Sequence, residues 1–149
     1  MKRIMKLLVV LMAGAMLAGC GGKEQTVTMT TDTDGVKIEM VISAKGDTVT
    51  KTVQTSTMET SGLPEEQVEQ MQGYADSLAE TMGAMEAAEY KSEITDGEFK
   101  EVITIDMTNK EALDELVAAG ISPVEGTTSR ISLKKTVEAL ESQGWTKAK

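Results

Sequence analysis

The chain of 149 residues carries 15 Lys and Arg against 24 Asp and Glu, no His, one Cys and four aromatics, Tyr74, Tyr90, Phe99 and Trp145. That length accommodates one domain. A net charge of −9 offers no basic footprint for a nucleic-acid backbone, and the missing His removes Ser-His-Asp and Cys-His catalysis, His-based zinc sites and a histidine pH switch.

Lys2, Arg3 and Lys6 form a positive n-region ahead of an apolar stretch from Leu7 to Met16, too short to cross a bilayer core of about 30 Å as a helix. Residues 1–19 therefore read as a cleaved secretory signal. Its end, Leu17-Ala18-Gly19-Cys20, resembles the lipobox of bacterial lipoproteins, in which small residues precede a cysteine that is lipidated on sulfur and becomes the mature N-terminus. The resemblance implies a protein held on the outer side of the bacterial cell membrane by acyl chains, palmitate included, on Cys20. Two or three chains, at about 0.8 kcal/mol per CH₂, give durable anchoring where one would not. Loss of Lys2, Arg3 and Lys6 leaves 12 of the 15 basic residues against 24 acidic ones, a net of −12. With Cys20 consumed, no thiol remains for a disulfide, a nucleophile or a metal. Residues 20–25 are expected as lipidated Cys and tether, and residues 26–149 as the domain.

From Gln25 to Met58 the residues alternate and are rich in Val, Ile and Thr, which is strand chemistry. Val27 and Met29 share a face of a first strand, and Asp34-Gly35 makes a tight turn. Val36, Ile38, Met40 and Ile42 share a face of a second strand. Lys45-Gly46-Asp47 turns the chain again into a Thr-rich third strand, Thr48 to Thr57, with Val49 and Val53 expected on one face and the other face wet. Pro64, Glu65 and Glu66 open a long helix, the acids favouring the positive end of its dipole. Val68, Met71, Ala75, Leu78, Met82 and Met85 line one stripe of about two and a half heptads, short of a coiled coil. Ala88 to Thr95 and Phe99 to Met107 form a second hairpin through Asp96-Gly97-Glu98, with Phe99, Ile103, Ile105 and Met107 pointing one way, as do Tyr90 and Ile94. Thr108 to Glu111 has capping-box spacing for a short helix closed by Gly120. After a loop to Arg130, Ser132 caps a last helix carrying Leu133, Val137 and Leu140. Gly144 ends that helix, and Trp145 stands where a Schellman motif folds an apolar side chain back onto Leu140. The expected order is βββαββαα: an α+β domain of two layers, with about five antiparallel strands and the helices on one face.

With the lipobox, Lys45-Gly46-Asp47, the long acidic helix, Val102-Ile103-Thr104-Ile105-Asp106-Met107 and the closing Ile131 to Lys149 segment in view, the chain resembles the YehR-like family of small bacterial lipoproteins. The resemblance covers nearly the whole chain. It implies an α+β two-layer fold, an unknown function and no catalytic or binding residues to carry over.

Candidate chemistry is sparse. Ser132-Leu133-Lys134-Lys135 fits the S-x-x-K of penicillin-interacting enzymes, but S-D-N and K-T-G are absent and Ser before a helix is an ordinary cap; no catalytic residue is assigned. Met82 and Met85 would suit Cu(I), yet both belong to the apolar stripe, where Met commonly fills gaps; no metal or cofactor is assigned. Asp32-Thr33-Asp34-Gly35 is similar to the start of a calcium loop, but Ser43 stands at the twelfth position, where such a loop needs Glu. Between Glu59 and Glu101 twelve acids stand against Lys91 and Lys100, a surface that attracts cationic peptides, polyamines or divalent ions, or is only solvated. The expected function is a non-enzymatic, lipid-anchored envelope protein that binds a ligand or a protein partner, without nucleic acid. The alternatives are a structural or assembly role beside another envelope protein, and a carboxylate-dependent hydrolase.

Overall fold

The computed structural model describes residues 22–95, 97–110, 114 and 131–148. Three long strands come first, β1 (Glu24–Thr33), β2 (Val36–Lys45) and β3 (Thr48–Glu59). They are followed by helix α1 (Glu65–Gly83), strands β4 (Ala88–Thr95) and β5 (Glu98–Asp106), helix α2 (Leu133–Ser142) and strand β6 (Thr146–Lys147). The strands form one antiparallel sheet in the order β4-β5-β3-β2-β1-β6. The α+β class is as expected, but the sheet has six strands rather than about five. Lipobox residues Leu17, Ala18, Gly19 and Cys20, and nearly all of the expected helix and loop over 108–130, lie outside the described residues.

The first hairpin turns where Asp34 and Gly35 both have positive φ, 54° and 81°, the pairing that matches the twist of the flanking strands. β1 begins at Glu24, two residues before the expected start of the domain. Just ahead of it Gly22 crosses the β2–β3 turn so closely that a Cβ there would lie 2.8 Å from Gly46 Cα. The Gly46 N–H donates to the Lys23 carbonyl at 2.9 Å, and the Gln25 side-chain amide donates to the Gly46 carbonyl. The chain thus enters the fold pinned to the Lys45-Gly46-Asp47 turn.

β3 departs from its expected register. Ser43 pairs with Lys51 but Ala44 pairs with Val49, so Thr50 is the extra residue of a bulge. Its hydroxyl donates to the Ser43 carbonyl at 3.2 Å. A bulge exchanges the two faces of everything beyond it. Val49 is buried, and so are Thr52 and Ser56, whereas Val53 stands on the opposite, wetter face. The expectation that Val49 and Val53 share a face is therefore corrected.

The core lies chiefly beneath α2. Leu133 and Val137 pack with Met29, Met40, Ile42, Ala44 and Val49, and Val27, Leu140 and Trp145 close the edges. Ser132 caps α2 as expected, its Oγ accepting from the Lys135 N–H at 3.2 Å. The C-terminus is a Schellman motif: Gly144 has φ of 92°, and Gly144 N–H and Trp145 N–H donate to the carbonyls of Glu141 and Leu140 at 3.1 and 3.0 Å. That turn delivers Thr146 and Lys147 to the free edge of β1 as β6.

α1 starts at the other end of the sheet. Thr60 and Ser61 N–H donate to the Gly97 carbonyl at 2.6 and 3.1 Å, which ties the approach to α1 to the β4–β5 turn. The helix then runs back alongside β4. Its predicted stripe is its sheltered side, with Ala75 and Met82 buried and Val68, Met71 and Leu78 half-buried; Met85, expected on the same stripe, stands past the end of the helix and is half-buried. Met85 closes a second, smaller core around Ala87 and Ile105.

Candidate functional site

On β5 the in-phase positions are Phe99, Glu101, Ile103 and Ile105, paired across to Met58, Ser56, Gln54 and Thr52. A carboxylate therefore stands where an apolar side chain would continue the pattern. Its cross-strand neighbours are Ser56 on β3 and Ser92 on β4, short side chains that leave room around it. The Tyr90 hydroxyl, on the diagonal, donates to Glu101 Oε2 at 3.1 Å. Burial, and after it the Glu101 charge, push the Tyr90 phenol up to about 12, with the nearby Tyr74 phenol adding to the effect. Tyr90 is thus a protonated donor at neutral pH. Among the described residues Glu101 has no ion-pair partner.

Gln67, Gln70, Met71 and Tyr74 of α1 stand across an open space from this part of the sheet. The result is an open cleft of 690 Å³ between the helix and the sheet. Val36, Ile38, Met58, Leu63, Met71 and Phe99 supply its apolar walls, and Gln54, Ser56, Gln67, Gln70, Tyr74 and Glu101 its polar groups. The balance of apolar wall and few polar groups is that of a small-ligand site. A depression of 730 Å³ on the opposite face is lined by Thr30, Thr55, Thr57 and alternating charges such as Lys37, Glu39 and Lys100, groups that water satisfies as well as a ligand would.

Position along the strands separates the cleft from the chain's entry. Val36, Met58 and Phe99 lie at the end of the sheet away from Gly46, so β1, with 10 residues at about 3.4 Å each, spans the distance. Along β2, Met40, Ile42 and Ala44 are buried while Val36 and Ile38, on the same face, are half-exposed. The difference is where α2 lands, since α2 covers the entry end only.

The residues singled out from the sequence are not brought together here. Ser132 donates to Asp47 Oδ2 at 2.6 Å and accepts from the Lys135 backbone, so its hydroxyl is engaged in capping. Met82 is fully buried and Met85 packs against Ala87 and Ile105, which makes both of them core. Asp32 to Gly35 is the first hairpin turn. Among the described residues no three acidic side chains converge as metal ligands. Of the acidic run, the described members other than Glu101 are exposed, and the cleft's described lining holds one carboxylate where glycoside hydrolysis needs a pair. The group that sequence reasoning passed over is Glu101 with Tyr90 and Tyr74. One signal was available: Glu101 occupies the apolar phase of its strand.

A family model described as a protein of unknown function (DUF1307) matches residues 25–146. An uncharacterized lipoprotein of Listeria monocytogenes is 28% identical over 145 residues, covering 97% of this chain and 95% of that protein. An uncharacterized lipoprotein of Listeria innocua is 27% identical over 149 residues, with 97% and 95% covered. The solution structure of the E. coli YehR protein superposes with a TM-score of 0.66 at 21% identity, covering 86% of this chain and 93% of that one. A protein from Streptococcus pneumoniae, 13% identical, superposes with a TM-score of 0.59 over 99% and 98%. At these identities the two structures speak to the fold alone. No described helix is long and apolar enough to cross a membrane.

Proposed function

The chain belongs to the DUF1307 family of YehR-like lipoproteins, a family of unknown function, and from that premise we propose that it is a non-enzymatic binding protein. It is held on the outer side of the bacterial cell membrane by lipid on Cys20. The observation that carries the binding role is the cleft of 690 Å³ between α1 and the sheet, apolar on most of its wall and polar at a few points. In this reading α1 and α2 form one layer on one face of the sheet, and the cleft is the part of that face that neither helix covers. The anchoring role is supported by Leu17-Ala18-Gly19-Cys20 and by the lipoprotein relatives. Lipid on Cys20 sits two residues before Gly22, so the β2–β3 turn faces the bilayer and the cleft faces away from it, roughly 30 Å farther out.

Native mass spectrometry of the protein, purified from its host's membranes in a neutral detergent, tests the binding role. A reproducible added mass, lost on denaturation and lost in Met71→Trp, which fills the cleft, is the expected result. A bare chain overturns it and favours docking onto another envelope protein. For the anchor, Cys20→Ser is expected to move the protein out of the membrane fraction, and retention there overturns lipid attachment.

A further inference from the structure

The chain has four aromatic residues, and three of them gather at one carboxylate. Phe99 precedes Glu101 by two residues on the same face of β5 and lines the cleft with it. Tyr90 donates to Glu101 Oε2. Tyr74, on α1, lines the same cleft and is 67% exposed, the one exposed large apolar side chain among the described residues. Nothing in the packing of α1 requires an aromatic there, because Tyr74 lies outside the stripe that the helix buries. Aromatic faces attract cations, and the attraction grows where water is displaced. An ionised carboxylate beside them adds Coulomb attraction that is stronger near a protein wall than in bulk water.

We propose that the cleft binds a small organic cation, an ammonium group carried on an apolar body, with the ammonium against Glu101 and Tyr74 and the body against Met58, Met71 and Phe99. This rests on the binding role proposed above and names its ligand class. Three features of the site exclude other chemistries. An anion meets Glu101 without any described cation beside it. A bare metal ion finds a single carboxylate in the described lining. A neutral apolar ligand leaves the half-buried carboxylate in contact with hydrocarbon, which costs desolvation free energy. The Glu101 hydrogen bond from Tyr90 occupies one oxygen and fixes the carboxylate's direction, leaving the other oxygen for the ligand. A soluble compound suits the position of the cleft, at the end of the sheet away from the chain's entry.

The test uses phenyltrimethylammonium and its neutral isostere tert-butylbenzene as probes, titrated calorimetrically into the full-length protein in a neutral detergent. Saturable binding of the cation is expected, weakened about fivefold or more by Glu101→Gln and about two- to fivefold by Tyr74→Ala, with the isostere binding more weakly than the cation. Tyr74 is exposed, so its replacement leaves the fold intact, and Glu101→Gln keeps an acceptor for Tyr90. Equal binding of both probes, abolished by Met71→Trp, overturns the cation proposal and leaves the cleft as an apolar binding site. Cation binding that Glu101→Gln and Tyr74→Ala leave unchanged also overturns it. Binding of neither probe overturns it too, and the mass-spectrometric comparison then decides the broader reading separately.

Discussion

Asp47 Oδ2 accepts from Ser132 Oγ at 2.6 Å across 85 residues of sequence. Asp47 Oδ1 accepts from the Lys134 N–H at 2.9 Å, and the Asp47 carbonyl accepts from the Leu133 N–H at 2.8 Å. The first turn of α2 is therefore capped from two sides, by its own Ser132 and by the β2–β3 turn. Helix N-termini leave four donors without intrahelical partners, and here the sheet supplies acceptors for two of them.

The Ser132 hydroxyl and the Lys134 N–H hold the Asp47 carboxyl below its ordinary value. Because the folded state prefers the ionised form, this stabilisation is complete above a pH of about 4 and is lost as the pH falls through the lower folded value. Asp47→Ala is expected to lower Tm at neutral pH, with the gap to the parent protein closing in acid. Thermal unfolding followed by circular dichroism at several pH values checks it, and a gap that stays constant down to acid pH contradicts the assignment. Ser132→Ala, which loses an ordinary cap, is expected to cost about 1 kcal/mol.

The Thr50 bulge makes two valines unequal. Val49→Ala empties space in the core under α2 and is expected to cost about 2 kcal/mol. Val53→Ala, on the wetter face, is expected to cost about 0.5 kcal/mol. Urea unfolding of the two variants side by side measures the difference, and equal costs would return Val53 to the core face.

Met82 is fully buried on α1, so Met82→Ala is expected to destabilise by about 2–5 kcal/mol. A urea midpoint close to that of the parent protein would show that the helix is not held by its stripe.

Gly144 adopts φ of 92°, a region that costs a residue with a Cβ about 1–2 kcal/mol. Gly144→Ala is expected to loosen the Schellman turn, expose Trp145 and shift its fluorescence to longer wavelength. Trp145 is the chain's one tryptophan, so emission reads this site alone.

Tyr90 titrates at about 12, above an ordinary phenol. Its contribution to stability is complete below a pH of about 10 and is lost as the pH rises through the folded value. Burial is the largest cause and Glu101 the second, so Glu101→Gln is expected to lower the value part of the way towards 10. Absorbance of the phenolate across an alkaline titration reports it, and no change would place Glu101 farther from Tyr90 than 3.1 Å.

The sequence by itself determined the local elements. Period-two alternation with Asp34-Gly35 and Gly46 at the turns dictates the first hairpins, because only positive φ fits those turns. Steps of three and four from Val68 to Met82 dictate the stripe of α1, and Gly144 followed by Trp145 dictates how α2 ends. Tertiary structure alone decided the rest. Nothing in a run of threonines marks Thr50 as the residue that slips, and the slip decides that Thr52 and Ser56, not Val53, are buried. Two residues are too few to show a period, so β6 exists only because the Schellman turn delivers it to the edge of β1. The cleft draws on β2, β3, β5 and α1, segments that antiparallel pairing makes neighbours. Whether Val36 and Ile38 line a cleft or a core depends on where α2 stops. Burial belongs to the whole packing, and one strand's sequence carries only the half of it that its own side-chain alternation can express.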